Sequence, residues 1–218
     1  MPVTTQTTKI DSKGRIIEAD TFSDKTLVEV DRYSYQTNGQ LSFVLKYNAN
    51  GKNFEADYYT NGQLSQVVNT DDKGALITLD AYKYINGQLS LITKTNSKGV
   101  VVEVDKFNNG NVEIDTYANN QVTQAVFKNA QGVIYETDQY RYNGYVLSSI
   151  VKSNAQGTAN EIDYYGLNTS LANYGYFIKK IDSYTNGILT QVVLNDNLGK
   201  KVETDTYQYS NGQLASIN

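Results

Sequence analysis

Glycine recurs along this chain at an almost constant interval. Of its sixteen glycines, fourteen form a ladder at Gly14, Gly39, Gly51, Gly62, Gly74, Gly87, Gly99, Gly110, Gly132, Gly144, Gly157, Gly187, Gly199 and Gly212. Between Gly39 and Gly110 the steps are 12, 11, 12, 13, 12 and 11 residues. The wider gaps are near multiples of that step, and the polar pairs Asp24-Lys25, Asn119-Asn120 and Asn168-Thr169 fall where the missing turns belong. Such a period is the signature of a repeat array. It points to a repetitive sheet built as a surface, not to a pocket built around a reaction.

Two turn classes carry the ladder. Asn-Gly favours the type I′ hairpin turn, because both central residues need positive φ. It occurs at Asn38-Gly39, Asn50-Gly51, Asn61-Gly62, Asn86-Gly87, Asn109-Gly110, Asn143-Gly144, Asn186-Gly187 and Asn211-Gly212. The second class is Asx-x-x-Gly, beginning at Asp11, Asn48, Asp71, Asn96, Asn129, Asn154 and Asp196, where the Asx side chain can cap its own turn. The classes mostly alternate, so one repeat is two strands and two turns. A longer echo aligns Asp31–Gly62 with Asp80–Gly110. The expectation is an all-β fold, a repetitive antiparallel β-hairpin meander of about 16–18 strands, each about eight residues long. It forms one array over residues 1–218, with an irregular insertion near 166–180 where the cadence breaks. The pattern leaves open whether the sheet is open, rolled or sandwiched.

Composition narrows the chemistry. Hydrophobic residues make up 39% of the chain, and nineteen tyrosines stand against six phenylalanines, which implies a thin core and rings whose hydroxyls reach water or a partner. There is no cysteine and no histidine, so disulfides, thiol chemistry and the usual neutral-pH base are excluded. The formal net charge is −4 with basic residues scattered, which argues against nucleic acid. No apolar run has membrane-spanning length, so no membrane span is expected. Residues 1–8 lack the charged and apolar regions of an export signal, consistent with a cytoplasmic chain or an exported fragment without its signal.

Every glutamate sits in a Glu-x-Asp pair: Glu18/Asp20, Glu29/Asp31, Glu55/Asp57, Glu103/Asp105, Glu113/Asp115, Glu136/Asp138, Glu161/Asp163 and Glu203/Asp205. Thr78/Asp80 and Lys180/Asp182 are variants of the pair. Residues two apart on a strand share a face, and an aromatic ring usually follows two positions later. The opposite face carries small apolar residues such as Ala19, Val30, Ala56 and Ile162. Paired carboxylates can serve a glycoside hydrolase, but ten copies of one pattern do not make a singular active site. Calcium is a second possibility, although no calcium-loop motif is present. The favoured reading is a structural ladder, with no catalytic residue, no metal and no cofactor. Donors are expected from Lys46, Gln66, Thr93, Gln124, Lys152 and Gln191 on the intervening strands. Such partners should depress the carboxylate pKa values, so that acid destabilises the sheet while chelators leave it unchanged.

The expected binding patch is the set of Tyr-x-Tyr pairs, Tyr33/Tyr35, Tyr82/Tyr84, Tyr140/Tyr142 and Tyr207/Tyr209, whose rings could stack on a glycan or contact a protein surface. The competing expectation is that these rings serve cross-strand packing. A second class of function is self-assembly with further copies through edge strands, into a fibre, lattice or shell segment.

The unit Asp80-Ala81-Tyr82-Lys83-Tyr84-Ile85-Asn86-Gly87-Gln88-Leu89-Ser90 resembles the YD, or Rhs-type, repeat of bacterial surface and toxin-delivery proteins. Tyr33-Ser34-Tyr35 before Gly39-Gln40-Leu41 and Tyr207-Gln208-Tyr209 before Gly212-Gln213-Leu214 follow the same outline. Glutamine stands where that family prefers arginine, the aspartate after the second tyrosine is missing, and the period is longer. Tyr58-Tyr59-Thr60-Asn61-Gly62-Gln63-Leu64 is also similar to variant MORN repeats, which are short β-hairpins. The resemblance implies a noncatalytic, bacterial, extracellular or cell-surface structural or adhesive segment.

Overall fold

A computed structural model describes residues 2–168 and 175–218, which fall into two compact units, one ending at Val104 and one beginning at Asp105. The first contains β1 (Thr4–Ile10), β2 (Ile16–Ser23), β3 (Thr26–Tyr35), β4 (Leu41–Asn48), β5 (Asn53–Thr60), β6 (Gln63–Thr70), β7 (Leu76–Ile85) and β8 (Gln88–Asn96). β9 (Val101–Asn108) spans the boundary. The second continues with β10 (Asn111–Ala118), β11 (Gln121–Lys128), β12 (Ile134–Asn143), β13 (Val146–Asn154), β14 (Ala159–Asn168), β15 (Gly175–Thr185), β16 (Ile188–Asn195), β17 (Lys201–Ser210) and β18 (Gln213–Ile217). The fold is therefore an all-β meander of eighteen strands, each antiparallel to its neighbours in sequence. Within the first unit β1 takes its register from β2 alone, and within the second β18 takes its register from β17 alone. Both meanders are open.

The turns follow local chemistry closely. Each Asx-x-x-Gly turn uses one side chain twice: Asn96 Oδ1 accepts the N–H groups of Lys98 (2.9 Å) and Val100 (3.1 Å), while Gly99 N–H closes on the Asn96 carbonyl. Asp11, Asn48, Asp71, Asn129, Asn154 and Asp196 make the same pair of bonds. Asn61-Gly62, Asn86-Gly87, Asn109-Gly110, Asn186-Gly187 and Asn211-Gly212 have both residues at positive φ, as a type I′ turn requires. Asp24-Lys25 and Asn119-Asn120 do the same without glycine, where the ladder skipped a step. Thr169 and the rest of 169–174 within the expected insertion lie outside the described residues, while Asn168 ends β14 across from Gly175. The described flanks of that insertion are strand, with Gly166 across from Phe177.

Three of the Asn-Gly sites are not type I′ turns. Asn50 belongs to the Asn48 turn. Gln36–Gly39 adopts the longer turn with Asn38 Oδ1 taking the Gln40 N–H, because Gln36 cannot cap as Asx does. At Asn143-Gly144 the turn residues are Gly144 and Tyr145, and Asn143 ends β12.

A bulge accompanies nearly every hairpin. Tyr58 pairs with Gln66 and Tyr59 with Leu64, which leaves Ser65 as the extra residue. Ser65 Oγ then donates to the Tyr58 carbonyl at 3.0 Å, and Ser90, Thr123, Ser148 and Thr190 repeat that bond. The Gly-Gln-Leu-Ser segments thus have a physical reading. Leucine packs across from a tyrosine and serine seals the bulge. The glutamine can bridge turns, as Gln63 Nε2 does to the Gly87 carbonyl and Gln121 Nε2 to that of Gly144, each at 3.2 Å.

Little apolar surface is removed from water. The buried apolar residues are Ala19, Val44, Ala56, Val67, Ala125 and Ile150. The accessible surface is 13890 Å², against roughly 10,000 Å² for a compact monomer of this length. Hydrogen bonding and cross-strand pairs carry an unusual share of the stability.

Candidate functional site: tyrosine pairs above a carboxylate ladder

Register decides which side chains meet. In the first unit Asp31 lies across from Lys46, Lys46 from Glu55, Val44 from Asp57, Asp57 from Val67, and Val67 from Asp80. In the second, Asp115 lies across from Ala125, Ala125 from Asp138, Asp138 from Lys152, and Ile150 from Asp163. Lysine occupies the centre of these groups. Lys46 Nζ contacts Glu55 and Asp57 (3.1 Å), Lys106 bridges Glu113 (2.7 Å) and Asp115 (2.6 Å), and Lys152 bridges Glu161 and Asp163 (2.8 Å). Lys9 with Glu18, Lys94 with Glu103, and Lys180 with Asp182 complete the set.

Of the donors expected from sequence, Lys46 and Lys152 hold their places. Gln66 and Thr93 instead face Ala81, and Gln124 faces Gln139. Gln191 faces Ser183 and Thr206, away from Asp182 and Asp205. The bulges are the reason, since one extra residue turns every later side chain to the other face. They also place Val44, Val67, Ala125 and Ile150 on the carboxylate side, so that side is not wholly polar.

The carboxylate rows do not all share one face. Asp31 lies across from Ala19 in β2 and Asp163 from Ile181 in β15, so Glu18/Asp20 and Asp182 point away from the acids of the adjacent strand. Lys106 reaches Glu113 and Asp115, which puts the neighbouring Asp105 on the opposite side from Asp115. Wherever two acidic strands are adjacent, their acids are turned apart. Like charges directly opposite each other would destabilise the pair.

Burial reverses the expected pKa direction for six of the ten aspartates in the rows. Asp31, Asp57, Asp80, Asp115 and Asp163 are all raised, chiefly by desolvation, despite the nearby lysines. Asp138 is raised to about 6, by burial and then by the Glu136 charge. Glu18, at the surface, follows the expectation, because its hydrogen bond from Lys9 lowers it. Burial alone would lower Lys46, Lys106 and Lys152, but the hydrogen bonds they donate to their carboxylates override it and raise all three. Among the described residues no group of three Asp or Glu is placed to hold a metal ion.

The tyrosines crown these rows. The second ring of each expected pair lies across from a leucine or its equivalent: Tyr35 from Leu41, Tyr84 from Leu89, Tyr142 from Leu147 and Tyr209 from Leu214. Tyr33/Tyr35 on β3 and Tyr82/Tyr84 on β7 share a face of the first unit, with Tyr59 between them. Tyr140/Tyr142 on β12 and Tyr207/Tyr209 on β17 lie on opposite faces of the second unit, so register does not bring those two pairs together. All eight rings keep some exposure, with Tyr209 the most open. Tyr82 and Tyr84 border a groove of about 360 Å³ completed by Thr60, Asn61, Gln63, Leu64, Ser65 and Lys83. Tyr59 and Tyr176 were not among the expected rings. The Tyr176 hydroxyl accepts the Leu147 N–H (3.3 Å) and donates to the Tyr145 carbonyl (3.2 Å), a link between distant strand ends that leaves no sequence signal.

No known protein family matches the chain, and no curated relative matches it. Among solved structures it is similar to a porin-like protein from Bacteroides uniformis, with 10% identity and a TM-score of 0.37 over 98% of this chain and 86% of the other. It is also similar to accessory secretory protein 1,2 and 3 in Streptococcus pneumoniae, with 19% identity and a TM-score of 0.30. That match covers 41% of this chain and 17% of the other. A TcdB2-TccC3-Cdc42 structure matches with 12% identity and a TM-score of 0.23, over 93% of this chain and 15% of the other. The chain thus spans less than a fifth of the length of two of these three.

Proposed function

We propose that this chain is a noncatalytic structural or adhesive repeat module of an extracellular or cell-surface protein, of the YD/Rhs type, presenting tyrosine-bearing sheet faces to a protein or glycan surface. The observation that carries this reading is the Tyr82/Tyr84 groove, where two half-exposed rings flank a polar rim. The carboxylates are drawn into lysine-centred ladders, which supports a structural rather than a hydrolytic role for them. Repetition allows weak contacts to add along the sheet. The test is binding to glycan and protein arrays by the wild-type chain and by the double variant Tyr82→Ala/Tyr84→Ala, with circular dichroism to confirm folding. Loss of at least about tenfold in affinity supports the reading, since aromatic anchors dominate such contacts. Unchanged binding removes these two rings from the site.

One observation favours self-assembly as a second reading. Every residue of β1 is exposed, and its outer edge offers free backbone groups to another strand. Sedimentation across a concentration series separates the two readings, because an adhesive monomer stays monomeric while an assembling chain grows.

A further inference from the structure

The second unit holds a carboxylate that neither the ladder nor the tyrosine groove accounts for. Asp138 is 6% exposed, and its Oδ1 is sealed from water without a hydrogen-bond partner. On β11 its neighbour is Ala125, fully buried, which offers a methyl group where a donor would be needed. On β13 its neighbour is Lys152, whose ammonium is committed to Glu161 and Asp163 of β14. Glu136 lies on the same strand and face, and Tyr140 follows it. Beyond Ala125, Lys106 is committed to Glu113 and Asp115. The face therefore carries six carboxylates, Glu113, Asp115, Glu136, Asp138, Glu161 and Asp163, against two lysines. Tyr140 and Tyr165 are both raised by burial and add no positive charge.

We propose that Asp138 is a proton-binding site that firms the β11–β14 region of the sheet in mildly acidic surroundings. The proton neutralises the one carboxylate on this face with a nonpolar neighbour on one side and an occupied lysine on the other. Burial and the Glu136 charge favour the protonated form, consistent with a pKa near 6 in place of 3.8. The folded chain then binds this proton more tightly than the unfolded chain. Stability accordingly rises as pH falls from above the folded pKa toward the unfolded one, and does not change further below that. At neutral pH the site is charged, and this part of the sheet is at its least stable.

The direct test follows the Asp138 carboxyl carbon by NMR during a pH titration of the wild-type chain. A midpoint well above the ordinary carboxylate range supports the site, and an ordinary midpoint overturns it. Thermal melting of Asp138→Asn supplies a second arm. At pH 7.5 the variant should melt at least about 2 °C above wild type, and the difference should vanish near pH 4. A variant no more stable than wild type at pH 7.5, together with an ordinary carbon titration, refutes the proposal. A variant that fails to fold leaves the NMR arm decisive.

Discussion

At the scale of single residues, the two best-defined devices are the Asx caps and the lysines. Asn96 accepts two backbone N–H groups, so Asn96→Ala should destabilise the chain by about 1–2 kcal/mol, at a net of roughly 1 kcal/mol per bond. Asn96→Asp should be nearly neutral, because Asp71 holds the same place. Urea melts of both variants check this. Lys152→Met leaves Glu161 and Asp163 without their partner. The loss expected at pH 7.5 is about 1–3 kcal/mol, below that of a fully buried pair because the lysine is partly open to solvent. It should shrink as pH falls and Asp163, raised by burial, takes up a proton, so melts at neutral and acid pH carry the test. The caps were legible in the sequence because they are local, with donor and acceptor two to four residues apart. The lysine partnerships were only half legible. Lys46 and Lys152 stood out beside the repeated pattern, and Lys180 lies two residues from Asp182 on β15, but Lys106 reaches Glu113 and Asp115 through cross-strand register, which no local pattern announces.

At the scale of strands and turns, position in the ladder predicted turns even where glycine was absent. Lys25 sits at φ 68° in the second place of a type I′ turn, a conformation costly for a side chain with a Cβ. Lys25→Gly should therefore stabilise the chain by about 0.5–1 kcal/mol, visible as a higher melting temperature. Asn120→Gly should give a smaller gain, since asparagine tolerates that region better. The number, type and order of strands could be read from the glycine period and the strand lengths between turns. The bulges could not, because serine after Gly-Gln-Leu looks like any polar strand residue until its hydroxyl is seen bonding the carbonyl across the hairpin. That gap explains why Gln66 and Thr93 were assigned to the acidic side and lie on the other.

Across the whole molecule, charge and burial set an acid-shifted stability optimum. The raised aspartates oppose folding above their folded pKa values, and that opposition fades as pH falls toward their unfolded values. Asp11 and Glu18 act in the other sense, because their lowered pKa values contribute stability that is lost as pH falls through them. Melting temperature should climb from pH 8 to about pH 5 and decline below roughly pH 4, a profile that thermal scans across pH can measure. Chelators should leave it unmoved, in keeping with the absence of a metal cluster among the described residues. The turning apart of acids on adjacent acidic strands also bears on how such a gene can change length. Gain or loss of a whole hairpin, one acidic strand with one neutral strand, preserves the facing of everything downstream. Duplication of a lone acidic strand survives only if its carboxylates are rotated to the far side, as at the junctions of β2 with β3 and β14 with β15. In related genes, insertions and deletions should therefore come mostly in multiples of two strands, which comparison of their lengths checks.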